Sequence, residues 1–343
     1  MVIFCVEVKN VITEVYNNIY LNEIPLPNNS LQVLNSYIIK SKHRNLIVDS
    51  GFDLPACKEA LYMGIKKLKV DLFKTDLVVT HMHPDHSGLA ADLESKGVVI
   101  YMNKKEADFL NEGSRKMPPG ILSSYANMLG FDTDNFSGLE KEFENSIKKP
   151  LKYVPLNQNE KLRIGNYIFE VVDIPGHSPG HIGLYERQHK LLFSGDHILE
   201  RITPNINFGG FGQDIFAIYL DSLKKVYDFE VDYLFPGHGN VIRDHKKRID
   251  EIFEHHNERL AEVSEIIRYN RKSPVEVASK MRWNVSYDDW IDFPDSQKWF
   301  ATGEAISHLE HLVSVGIAEC SHFDGKIFYS INRSGMTKKH PQL

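Results

Sequence analysis

Over its first hundred residues the chain alternates short runs of β-branched and aromatic residues with polar turns, the texture of a strand-rich layer. Val2 to Val8, Leu31 to Ile39, Asn45 to Val48 and Thr75 to Thr80 are the expected strands. Between the last two, Leu54, Cys57, Leu61 and Ile65 recur three or four positions apart, which predicts a helix over Leu54 to Lys69. Residues 104–149 read as a mainly helical insertion, broken at Pro118-Pro119-Gly120 and around Asp132 to Asp134. Strands resume at Tyr167 to Val172, His181 to Tyr185 and Lys190 to Phe193, the last two as a hairpin, before a helix over Ile215 to Tyr227 and a strand over Tyr233 to Phe235.

From Asp244 the pattern changes to a long charged helix reaching about Asn270, with Ile249, Ile252, Phe253, Leu260, Val263 and Ile267 on one face. Ser273-Pro274-Val275-Glu276 carries a cap, a proline at the first helical position and the reciprocal glutamate of a helix start. Gln297 to Val315 predicts a further helix that Gly316 ends, followed by a hairpin of Ile317 to Cys320 with Lys326 to Ile331, turning at Asp324-Gly325. Helix, helix and hairpin in this order predict a winged-helix-like C-terminal domain over 244–343, behind an N-terminal domain over 1–243.

Composition narrows the class. The 343 residues are 42% hydrophobic and 25% charged, close to a globular average, and leave room for about two domains. A net charge of −6 provides no overall attraction to nucleic acid or anionic lipid. Cys5, Cys57 and Cys320 are too few and too scattered for a disulfide framework, which fits a reducing cytoplasm. The opening residues read as a strand instead of a signal peptide, and no apolar run is long enough for a transmembrane helix.

The chemistry concentrates at Thr80-His81-Met82-His83-Pro84-Asp85-His86-Ser87-Gly88, directly after an apolar strand. On a loop leaving a strand end, His81 and His83 point to one side while Asp85 and His86 turn toward an adjacent point. Imidazole and carboxylate ligate divalent metals, and two clusters this close suit two ions about 3.5 to 4 Å apart. Compatible groups recur in Pro175-Gly176-His177-Ser178-Pro179-Gly180-His181, in Ser194-Gly195-Asp196-His197 and in Pro236-Gly237-His238-Gly239. Each follows an apolar strand, where open α/β sheets present ligands.

Together these segments resemble the metallo-β-lactamase superfamily over roughly residues 12–243, with its H-x-H-x-D-H motif, later His, bridging Asp and last His all matched. The resemblance implies an α/β fold, an αββα sandwich. It implies one metal position held by His81, His83 and His177, a second by Asp85, His86 and His238, and Asp196 bridging both. Asp49 matches the acid that supports a ligand histidine from behind. Asp85 also matches a group that takes part in proton transfer. His181, His189 and His197 have no ligand role in this pattern and read as structural or surface histidines.

Asp196 in place of Cys points away from Cys-containing antibiotic-hydrolysing members, and His83 in place of Glu points away from diiron flavoproteins. A Cys-free set of nitrogen and oxygen ligands suits two zinc ions, with iron or manganese as alternatives. Hydrolysis by a hydroxide shared between two Lewis acids follows as the expected chemistry.

The substrate is the open part. The 104–149 segment reads as a lid, and its Phe109, Leu110, Met117, Ile121, Leu122, Tyr125, Met128, Leu129 and Phe131 as an apolar pocket lining or as the inward face of packed helices. The His177 segment is close to that of glyoxalase II-like thioester hydrolases, which makes an acyl-coenzyme A or acyl-glutathione thioester the leading substrate. The C-terminal region resembles β-lactamase-like proteins, some of them endoribonucleases, that append a winged helix. There Arg243, Lys246 and Lys247, beside the site mouth, would hold phosphates of coenzyme A or RNA, although such a run also reads as a solvated helix face. Phosphodiester, RNA and lactone hydrolysis, a mono-iron sulfur dioxygenase and a homodimer formed through the C-terminal helices stay as alternatives.

Overall fold

The computed structural model describes residues 12–27, 29–113, 121–132, 150–206, 213–284, 287 and 289–332. The strand expected at Val2 to Val8, Cys5, Met117 and the lid beyond Asp132 as far as residue 149 lie outside the described residues.

Strands β1 (Ile12–Tyr16) and β2 (Ile19–Pro25) form a hairpin that the hydrophobic pattern alone did not mark out. Its turn is Asn17-Asn18, and Asn18 takes a φ of +56°, a left-handed conformation that asparagine tolerates. β3 (Val33–Ile39) and β4 (Asn45–Val48) continue the antiparallel run. Helix α1 (Pro55–Lys67) then crosses over, so that β5 (Thr75–Val79) pairs in parallel with β4. Proline opens α1, and Cys57, Ala60, Leu61 and Ile65 form its buried stripe. The short helices α2 (Pro84–Ser87) and α3 (Ala90–Glu94) lead to β6 (Val99–Met102).

The inserted segment starts with α4 (Lys104–Asp108), capped by the Asn103 side chain and continued by a π-helical turn over Phe109–Gly113. It includes α5 (Ile121–Leu129), and β7 (Val154–Pro155) closes a seven-stranded sheet in the order β1 to β7. A second sheet is built from β8 (Lys161–Ile164), β9 (Tyr167–Asp173), β10 (Ile182–Glu186) and β11 (Leu191–Gly195). Helix α6 (Ile215–Tyr227) carries the chain to β12 (Tyr233–Pro236), which pairs in parallel with β11 and gives the order β12-β11-β10-β9-β8.

The two sheets stack through Tyr37, Leu46, Val48 and Val78 on one side and Phe169, Val171, Leu184, Phe193 and Phe235 on the other. Helix α1 covers the outer face of the first sheet, and α6 covers the outer face of the second. The result is helix, sheet, sheet, helix.

The C-terminal region adds α7 (His245–Ile266), α8 (Pro274–Ala278), α9 (Asp295–Ser314) and the hairpin β13 (Ala318–Phe323) with β14 (Lys326–Ile331). Ser273 and Glu276 make the expected reciprocal cap on α8. Asp324 and Gly325 both have positive φ, as a two-residue hairpin turn requires. The buried side chains of α7, α9 and the hairpin belong to the same continuous core as α6 and the second sheet. No helix among the described residues is long and apolar enough to cross a membrane.

Candidate metal centre

Parallel and antiparallel pairings leave the C-terminal ends of β4, β5, β9, β11 and β12 at one edge of the sandwich. Asp49 follows β4, His81 to His86 follow β5, His177 follows β9, Asp196 follows β11 and His238 follows β12. The two sheets are joined at this edge by hydrogen bonds from Ile182 N–H to Thr80 C=O at 3.0 Å and from Asn35 N–H to Gly237 C=O at 2.8 Å.

His83 Nδ1 lies 2.9 Å from both His81 Nε2 and His177 Nε2. Beside this triad, His238 Nε2 is 3.4 Å from Asp85 Oδ2, and His86 Nε2 is 3.9 Å from the same oxygen. Asp196 faces both groups. Its Oδ1 is 3.3 Å from His86 Nε2, and its Oδ2 is 3.5 Å from His238 Nε2 and 3.8 Å from His177 Nε2.

The nitrogens turned away from this centre are held by the protein. His177 Nδ1 meets Asn205 C=O at 2.7 Å, His238 Nδ1 meets Val33 C=O at 2.7 Å and His86 Nδ1 meets Asp49 Oδ2 at 2.8 Å. Asp49 also accepts from Thr80 N–H and Thr80 Oγ, each at 2.8 Å, and it does so from a φ of +60° that a non-glycine residue rarely adopts.

The donor set fits metal ions. His86 Nε2, His238 Nε2 and Asp196 Oδ1 are buried without a hydrogen bond, an expensive state unless a cation collects them. Three ligand groups, His81-His83-His177, His81-His86-Asp196 and Asp85-His86-His238, each bring their atoms within 4.8 Å of one another.

Electrostatics divide the centre. Burial, reinforced by neighbouring histidines, drives His81 far below its ordinary pKa and His83 down to about 3, so both stay neutral and keep a lone pair. Burial also lowers His177, and Asp196 opposes that shift. In the second group burial works against charge, but Asp196, with help from Asp85, pushes His238 up to about 10. Asp196, Asp49 and Asp85 likewise outweigh burial at His86 and raise it strongly. Burial tends to raise Asp85 and Asp196, and the His86 and His238 imidazoles overcome it and hold both carboxyls down.

Glycine makes the close approach at Asp196 and His86 feasible. A Cβ on Gly237 would sit 2.3 Å from Asp196 Oδ1 and 2.8 Å from His86 Cε1, closer than any side chain tolerates.

The profile of the metallo-beta-lactamase superfamily matches residues 32–238, a span that holds every residue of this centre. The chain belongs to the metallo-beta-lactamase superfamily. Among proteins of this superfamily's kind, the beta-lactamase-like protein 2 homolog of Caenorhabditis elegans is 25% identical over 91% of this chain and 89% of its own length. The atrochrysone carboxyl ACP thioesterase of Emericella nidulans is 23% identical over 61% of this chain and 52% of its own. The hydroxyacylglutathione hydrolase GloC of Haemophilus influenzae is 28% identical over half of this chain and 69% of its own. A beta-lactamase domain protein from Burkholderia ambifaria has the same fold, with a TM-score of 0.80, 27% identity and 94% of each chain covered.

Other residues expected at the site make contacts of their own. The Arg243 guanidinium stacks 3.6 Å over the Tyr233 ring and donates to Asp232 C=O, at the start of β12 and about 10 Å, one short strand, below the end that carries His238. The reason is that the chain doubles back after Gly239 and pairs Ile242 with Leu234. Lys246 sits 5.1 Å over the Tyr227 ring and Lys247 pairs with Glu251 at 3.8 Å, so this basic run is not at the site mouth. On and just after α5, Tyr125 is exposed, whereas Met128 packs on the core beneath the second sheet, and Phe131 is buried with Ile306 and 5.9 Å from the Trp299 ring. Met128 and Phe131 thus fasten this helix to the C-terminal core.

His181, read from the sequence as a structural or surface histidine, stacks 4.7 Å from the His81 ring, and its Nε2 accepts from Asp196 N–H at 3.1 Å. One residue escapes sequence reasoning. Glu106 is fully buried and touches the loops of both His83 and His177, with no motif around it to signal this. His189 pairs with Glu186, at the far end of β10 from the centre.

Proposed function

We propose that this superfamily hydrolase is a binuclear, zinc-dependent thioesterase acting on acyl-coenzyme A or acyl-glutathione substrates. The observation that carries the reading is the pair of ligand groups meeting at Asp196. Two divalent ions held there would supply Lewis acidity that makes water nucleophilic near neutral pH and polarises an acyl oxygen. His81, His83 and His177 would hold one ion and Asp85, His86 and His238 the other, with Asp196 placed between the two groups. Iron or manganese would suit the same donors.

The chain's own residues do the rest. Asp49, Val33 C=O and Asn205 C=O fix the tautomers of His86, His238 and His177, so that one nitrogen of each ring faces inward. Asp85, next to His238 and held as a carboxylate, would take a proton from the attacking water and pass it to the departing thiolate. The names of the thioesterase and hydroxyacylglutathione hydrolase relatives support the substrate class. The helix, helix and hairpin order after residue 244 supports a winged-helix-like second domain beside a hydrolase domain over 1–243. The unpaired thiols of Cys57 and Cys320 support a reducing, cytoplasmic setting.

The test is thiol release from a panel of acyl-coenzyme A and acyl-glutathione thioesters by zinc-loaded protein, with Asp85→Ala and His177→Ala as controls. Release abolished by both substitutions is the expected result. A protein that carries two metals and releases no thiol overturns the substrate class, and cleavage of RNA or a phosphodiester in a parallel assay would replace it.

A further inference from the structure

Glu106 is a carboxylate at 0% exposure, with no ion pair to a lysine or arginine among the described residues. Such a group is costly to bury unless donors surround it. Its donors come from two loops distant in sequence. Oε2 accepts from Met82 N–H at 2.7 Å, and Oε1 accepts from Ser178 Oγ at 2.9 Å and from Gly180 N–H at 2.5 Å. Met82 lies between His81 and His83, and Ser178 follows His177, so the three residues next to these contacts make up the first metal position.

We propose that Glu106 is a positioning residue for this position, clamping the His81-His83 loop against the His177 loop so that the three imidazoles converge. The inference rests on the metal-centre reading above.

Three features make the clamp specific. The Met82 peptide is gripped at both ends, its N–H by Glu106 and its C=O by Ser87 Oγ at 3.0 Å, which sets the turn that aims His81 and His83 at one point. The carboxylate is carried by α4, whose cap Asn103 lies where a Cβ on Gly180 would fall, 2.6 Å away, so the His177 loop approaches closely because residue 180 has no side chain. All three donors require an acceptor, and a carboxylate is acceptor-only. Glutamine would keep Ser178 and Gly180 on its oxygen while turning an N–H toward Met82 N–H, releasing the His81-His83 loop alone.

Cobalt(II) titration followed by visible absorption separates the two positions. With His238→Ala in the background the first position is read, and with His177→Ala the second. Adding Glu106→Gln is expected to weaken cobalt at the first position at least tenfold and to leave the second within threefold, with the metal-free melting temperature little changed. Unchanged affinity at the first position, or equal losses at both, overturns the proposal, since a merely structural Glu106 would act on the whole edge. If Glu106→Gln does not fold, Ser178→Ala decides. A three- to tenfold loss confined to the first position supports the clamp, and no loss overturns it. Failure of the metal-centre reading looks different, because the otherwise unaltered chain would then bind fewer than two cobalt ions.

Discussion

Two groups of histidines are packed inward among the described residues, and one of them has the makings of a metal site. At the strand ends His81, His83, His86, His177 and His238 converge with Asp85 and Asp196. Between α6, α7 and α9, His256, His308 and His311 surround the Phe216 ring at 4.7 to 5.0 Å. All of these side chains are buried except His83, which is half-buried. In the second, His256 Nδ1 pairs with His308 Nε2 at 3.2 Å, His308 Nδ1 meets Glu304 C=O, and His311 Nδ1 meets Asp214. These rings turn toward one another and outward, around a phenyl ring, and leave no common point for a cation. Burial, with Arg259 adding to it, lowers His308 to about 3, and burial with His308 lowers His256 strongly. At the centre, by contrast, carboxylates raise His86 and His238. What distinguishes the groups is therefore the placement of two carboxylates among the inward-facing ring nitrogens, and not the number of histidines.

The sharpest way to break this comparison is to remove the carboxylate common to both metal positions. Asp196→Ala is expected to lower thiol release by more than the roughly 100-fold that loss of an outer hydrogen-bond partner costs. Metal content should fall with it, measured by elemental analysis of purified protein. Asp49→Asn, which spares every ligand but disturbs the anchoring of His86, should cost roughly 10- to 100-fold in metal affinity, read by competition with a chromophoric chelator.

The phenyl-centred histidines should reveal themselves as a stability effect. Below about pH 6.5 the unfolded chain protonates His308, and the folded chain does not until about pH 3, so stability falls as pH drops through that window. His255, His311 and Arg259 oppose charge on His308 from the elements around it. At pH 5 the loss from this residue is about 2 kcal/mol. His308→Gln should therefore show a flatter dependence than the parent between pH 7.5 and 5 in urea denaturation, with turnover at pH 7.5 preserved. A control outside both groups is expected to do least. Arg243→Ala, at the far end of β12, should change KM for an acyl-coenzyme A by less than about twofold.

The meeting of these side chains was legible because four of them lie within six residues, and the others sit beside glycines after apolar strands, a local pattern that survives without knowledge of the fold. The helices and the final hairpin were legible from periodicity and from caps such as Ser273-Pro274 and the Asp324-Gly325 turn. The β1–β2 hairpin was not, since its only punctuation is an Asn pair. The basic run at Arg243 was misplaced because the chain reverses on pairing Ile242 with Leu234, a contact that composition does not encode. Met128 and Phe131 face α9 and its neighbours instead of a cleft for a similar reason: an apolar stripe says that a face is covered, but not by what. Glu106 has meaning only through donors that arrive from two other loops.

The spread of the ligands along the chain has a consequence for synthesis. The three-imidazole position is complete in sequence once residue 177 has left the ribosome, while the position of Asp85, His86 and His238 must wait about sixty residues more, or several seconds of translation. A nascent chain therefore carries every side chain of the first group well before the last side chain of the second is made.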